Sequence, residues 1–114
     1  MASPESGCEA ANEHPRPERP PRAERVSFPL GLLLSTPGAL AALTEARTAP
    51  WTLLARHASG DWGDLGEEGW QANERALTTG ARLFSAYTLL TRARLWVITE
   101  ADRSSTTLLT PEEY

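Results

Sequence analysis

The chain of 114 residues has no lysine, one cysteine, two histidines and no long apolar run. Each shortage closes a class of function. A lone Cys8 permits no internal disulfide, which excludes a small stapled secreted protein and fits a reducing cytoplasm. The longest apolar stretch, "FPLGLLL" at 28–34, falls far short of a membrane span, and the first residues carry acids and prolines instead of a signal peptide. A cytoplasmic protein with no membrane partner is expected. His14 and His57 lie too far apart, and Cys8 too isolated, for metal-ligand spacing, so neither a metal nor another cofactor is expected. Phosphate loop, dinucleotide fingerprint and nucleophile elbow are all missing. The net charge of −4 counts against a protein built to coat nucleic acid. With lysine absent, every basic residue apart from the histidines is arginine, as GC-rich coding favours.

What is present divides the chain in two. Residues 1–25 hold five of the nine prolines and almost no large apolar side chains, which predicts a disordered tail. Residues 26–114 read as one small domain. "VSFPLGLLL" is a short strand or an extended lead-in. Thr36 is placed to cap a helix with Pro37 at its first position and with Leu40 and Leu43 on one face. Pro50 opens a second helix that stops at Gly60, with Trp51, Leu54 and Ala58 at helical spacing and His57 near that apolar face. A third helix is predicted over 67–78, with Glu67 and Glu68 at its start and Gly80 past its end. Residues 82–90, 94–100 and 105–109 are rich in aromatic and β-branched side chains and read as strands, with "LWVI" at the sheet centre. The expected fold is α+β: N-terminal helices packed on a three-stranded antiparallel meander.

Two stretches concentrate polar chemistry. "RHASGDWGD" (56–64) has a structural reading as a helix end, a glycine stop and a tight connector. Gly60 and Gly63 then supply special backbone angles, Asp61 and Asp64 bond turn amides, and Trp62 plugs a gap between helices. Its functional reading sets His57 at a cleft as a general base, with Asp61, four residues on, fixing its tautomer. "TEADRSSTT" (99–107) is either a polar hairpin corner or a phosphate site. In the latter, Arg103 offers its fork of donors, Thr106 and Thr107 add hydrogen bonds, and Glu100 or Asp102 serves as acid or base.

"RHASGDWGDL" with "NERAL", and "RLWVITEADRSSTTLLTPEEY", together resemble a family of small bacterial proteins encoded on plasmids and mobile elements, sometimes labelled type I restriction endonuclease subunit. The resemblance spans roughly 26–114, implies a mobile-element setting and brings no catalytic residues with it. Two local departures stand out: "LTRAR" (90–94) lacks the glycine or Asx expected of a hairpin turn, and Gly69 interrupts a helix. Helices followed by a meander also look similar at fold level to metal-independent ribonuclease toxins of the barnase–RelE type. By that analogy His57 and Arg103 are catalytic, Thr107 and Tyr87 support them, and RNA is the substrate. The leading expectation is a small accessory protein that binds a protein partner, such as host defence or restriction machinery, with Asp61, Trp62, Asp64, Glu100 and Asp102 as binding residues. The alternative is the ribonuclease.

Overall fold

The computed structural model describes residues 28–114. The predicted tail, with Cys8 and His14, lies outside the described residues. Strand β1 (Leu32–Ser35) is followed by helices α1 (Pro37–Glu45), α2 (Pro50–Ala58) and α3 (Glu67–Thr79). Strands β2 (Leu83–Thr88), β3 (Arg94–Thr99) and β4 (Ser105–Leu109) come next, and a 3₁₀ turn (Pro111–Glu113) closes the order.

The architecture is α+β, but the sheet has four strands in the order β1-β4-β3-β2 and is mixed, where a three-stranded antiparallel meander was expected. The meander itself is present: β2 pairs antiparallel with β3, and β3 with β4. The added strand is the lead-in. It joins β4 in parallel, Leu33 opposite Thr106, with the Leu32 N–H donating to the Ser104 carbonyl at 2.9 Å. Residues 30–36 contain no proline and no charge, so nothing in them resists laddering onto β4.

The helix punctuation acts as its chemistry requires. The Thr36 hydroxyl accepts from the Ala39 N–H at 3.1 Å, ahead of Pro37. Gly80 ends α3 in the left-handed region at φ 81°. Two helix faces differ from the sequence reading. In α1 the buried pair is Ala39 and Leu43, spaced i,i+4, while Leu40 is 48% exposed. In α2 the buried set is Leu53, Leu54 and His57, and Trp51 faces water at 71% exposure. The β2–β3 turn needs a left-handed residue and, lacking glycine, uses Arg92 at φ 76°.

Alternation along the strands gives the sheet two unlike faces. Leu83 and Tyr87 of β2, Leu95 and Val97 of β3, and Leu108 of β4 are buried, and most of them join Leu43, Leu53 and Leu54 in the main core. A smaller cluster gathers Trp62, Ala76 and Leu83, with Phe28, Leu65, Trp70 and Leu77 packed against it. The register pairs Phe84 with Ile98 and Ala86 with Trp96 on the opposite face. There Trp96 meets the rings of Phe84 and Tyr114 edge-on.

Candidate functional site

His57 is the natural starting point. It sits in the last turn of α2, three residues past Leu54, so it shares the face that the core buries. It is 0% exposed. The expectation of a cleft-side histidine is therefore corrected: Phe28 and Trp62 press on the imidazole edge-on, with ring centroids 5.6 and 5.5 Å away. Both ring nitrogens are satisfied inside the protein. Nδ1 lies 2.6 Å from the Ser85 hydroxyl and Nε2 2.9 Å from the Thr99 hydroxyl. Thr99 in turn lies 2.7 Å from Thr106, whose hydroxyl donates to the Leu30 carbonyl at 2.7 Å.

That chain of bonds fixes the tautomer by elimination. Thr106 has one proton and gives it to Leu30, so Thr99 donates to Thr106, and Nε2–H donates to Thr99. In the neutral ring Nδ1 then accepts from Ser85. Desolvation, with Arg103 adding a smaller repulsion, pushes the imidazole down to about 4. His57 is a neutral core histidine, fully bonded across the inner face from β2 through β3 and β4 to the segment before β1. The sequence did not mark this group as a unit. Its trace is three polar residues, Ser85, Thr99 and Thr106, at inward positions of otherwise apolar strands.

The expected His57–Asp61 pair is not made. Asp61 bonds the Arg56 Nε at 2.7 Å and takes the Gly63 N–H on its other oxygen at 3.2 Å. Arg56 also lies over the Tyr87 ring, its guanidinium carbon 4.5 Å from the centroid. The Tyr87 phenol, raised by burial, donates to the Asp61 carbonyl at 2.6 Å. Trp62 cannot greet a partner from the surface, since it is 0% exposed and its indole N–H reaches Glu74 at 3.0 Å. Asp64 accepts from the Thr88 hydroxyl at 2.7 Å.

Arg103 is likewise committed. Held at φ 61°, it donates to the Ala76 carbonyl in α3 at 3.1 Å and to the Ala81, Glu100 and Ala101 carbonyls at 2.7–3.3 Å. It clamps the end of α3 to the β3–β4 turn, with its phosphate-reading fork turned onto backbone oxygens. The Phe28 ring lies against both His57 and Arg103, so the two are neighbours, but they share no open surface. Thr107 is further from the role expected of it. Its neighbour Thr106 faces His57, so alternation turns Thr107 to the opposite face of the sheet. Glu100 makes a long ion pair with Arg82 at 3.8 Å, and the Ser104 hydroxyl, with the Ser104 N–H at 3.0 Å beside it, holds the Asp102 carboxyl low.

The connector "GDWGD" works on the sheet edge. The Ala86 N–H donates to the Trp62 carbonyl at 3.2 Å, and the Asp64 N–H donates to the Ala86 carbonyl at 2.7 Å. Gly63 is pressed so close that a Cβ would fall 2.0 Å from the Ala86 oxygen, at φ +78°. Two residues further back along β2, the Asn73 side chain donates to the Phe84 carbonyl at 2.6 Å and accepts its N–H at 3.1 Å. The outer rim of β2 is thus closed at Phe84 and Ala86.

The other rim differs. β1 is the last strand on its side, and Leu32, Leu33 and Leu34 are 66%, 52% and 44% exposed. Leu32 donates to the Ser104 carbonyl just before β4 at 2.9 Å and Thr36 to the Leu108 carbonyl in β4 at 3.0 Å, so the parallel alternation turns the Leu33 N–H and C=O outward. Among the described residues, no strand or side chain covers that rim. Among them, too, no three His, Cys, Asp or Glu side chains gather as metal ligands, and no helix is long and apolar enough to cross a membrane. A shallow groove of about 470 Å³ between the β2–β3 turn and the C-terminal turn is lined by Arg92, Arg94, Trp96 and Glu112.

Compared with known protein families, characterised proteins and solved structures, the chain matches none.

Proposed function

We propose that the chain is a small accessory protein that works by binding another protein strand along the β1 rim. One observation carries this reading: three consecutive leucines stand exposed on a strand whose outward backbone groups have no cover among the described residues. An uncovered strand is a template for a further strand. The backbone ladder supplies affinity and the alternating side chains supply selectivity. Natural edges are blunted by charge, proline or a bulge, and Leu32–Ser35 carries none of these. The acidic residues of the two polar stretches are absorbed by turns and local pairs, so the docking surface moves from the Asp61–Asp64 connector to β1.

No observation favours the ribonuclease. A general base must reach the proton that it removes, and His57 is sealed, while Arg103 spends its donors on four carbonyls.

The test is a photoreactive residue at position 33, compared with one at the exposed Glu68 of α3, in the cells that make the full chain. A discrete adduct at 33 and none at 68 is expected. Absence of any adduct at 33, or the same adducts from both positions, overturns the proposal.

A further inference from the structure

Resting on that reading, we infer that the strand received at the β1 rim is the β1 of a second copy, in an antiparallel, two-fold pairing centred on Leu33. The argument begins with geometry. The alternation turns the N–H and C=O of both Leu33 and Ser35 outward, and Leu33, at the centre of the leucine triplet, has neighbours that bond the β4 side. In an antiparallel pair, two residues placed opposite each other exchange both bonds. Leu33 against Leu33 meets that condition and is its own symmetry mate, as a closed dimer interface requires. Leu32 then falls opposite Leu34 of the other copy, on the sheet face remote from the helices. Leucine meets leucine at the three central positions, Ser35 falls opposite Gly31, and the two four-stranded sheets become one of eight strands.

Charge points the same way. Residues 26–44 include no ionisable side chain, although the chain carries a net −4. A copy of this chain therefore brings no like charge to the rim, and a partner chosen by opposite charge finds nothing there to recognise. Nor does the composition of residues 1–25 suit a strand laid against the leucines. Residues 1–25 hold five prolines, which lack the N–H that a ladder needs, and almost no large apolar side chains to set against the leucines.

Pro29 and Pro37 bound the pairing to a short ladder between them. So small a contact belongs with weak, concentration-dependent interfaces, and association is expected to be reversible.

Sedimentation equilibrium of the full chain over rising concentration tests this. The average mass should climb from 12.4 kDa toward twice that value. Leu33→Pro removes only an outward N–H, which an edge strand tolerates, so it should keep the fold by circular dichroism and weaken association by about tenfold or more. Leu33→Lys keeps the N–H and adds a repelling charge, and its association should be weaker than wild type and partly restored by salt. A chain that stays at 12.4 kDa throughout overturns the inference, as does a dimer that a folded Leu33→Pro leaves intact. Should Leu33→Pro not fold, an undiminished dimer in Leu33→Lys overturns it equally. If the purified chain is monomeric while position 33 cross-links a different protein, this inference fails and the proposed function stands. If position 33 cross-links nothing at all, the function fails with it.

Discussion

The two rims of one sheet are finished in opposite ways. Along β2, Trp62 and Asp64 bond the Ala86 backbone, Asn73 bonds Phe84, and Asp64 takes the Thr88 hydroxyl. Along β1, three leucines and the Leu33 backbone face outward. Both rims began with the same liability, a row of unpaired peptide groups. On one side the chain brings back a connector with a glycine at the point of closest approach and a helix with an asparagine at the matching height. On the other it brings nothing from residues 28–114. The lesson is that an edge can be closed by isolated, well-placed polar groups without a further strand, and that this was done on one side alone.

The largest expected effect comes from breaking the closed rim. Gly63→Ala places a methyl group 2.0 Å from the Ala86 oxygen in a backbone region that disfavours side chains. A loss of about 4 kcal/mol, read by urea denaturation, combines overpacking with left-handed strain. Next comes acid. The imidazole is held at about 4 in the folded chain against 6.5 when free. Between those values the unfolded chain binds the extra proton, so stability is complete above about pH 6.5 and falls as pH drops toward 4. About 3 kcal/mol should disappear across that window in unfolding curves taken by pH. His57→Gln should flatten the slope. Because the His57 network runs from Ser85 on β2 to Leu30 before β1, the loss should loosen both rims together. Removing the asparagine clasp is a smaller change: Asn73→Ala leaves the Phe84 N–H and C=O without their partner, for about 2 kcal/mol, with faster amide exchange at Phe84. Smallest is Leu33→Lys on the open rim, which should alter monomer stability by no more than about 0.5 kcal/mol, because its side chain is half exposed already. A large loss there would show that the β1 rim is packed after all.

The sequence showed best what is decided locally. Thr36–Pro37, Pro50 with Gly60, and Gly80 mark helix ends through their own backbone preferences, and β2, β3 and β4 announce themselves by composition. The polar stretch 56–64 was also readable as a connector, with its glycines and Asp61 in turn roles and Trp62 as a plug, whereas the Asp64 carboxylate, expected on a turn amide, bonds the Thr88 hydroxyl of β2 instead. What stayed hidden depended on distant partners. Nothing in "LLLS" says that it will run parallel to a strand near the other end of the chain. His57 lay near an apolar face, but its two hydroxyl partners come from β2 and β3 and the next link from β4, so burial with full bonding was not visible in any window. Arg103 looked like an anion reader because its residue type is one, and only the fold shows four carbonyls already in its reach.

The Thr106 hydroxyl reaches the Leu30 carbonyl across 76 residues of sequence. On a ribosome adding about 5–20 residues per second, the leucine triplet emerges several seconds before the segment that will hold it has been made. During that interval the most water-averse piece of the domain trails from the exit tunnel with nowhere to go. Newborn copies on one messenger, each carrying the same unsheltered piece, are the first neighbours it can meet.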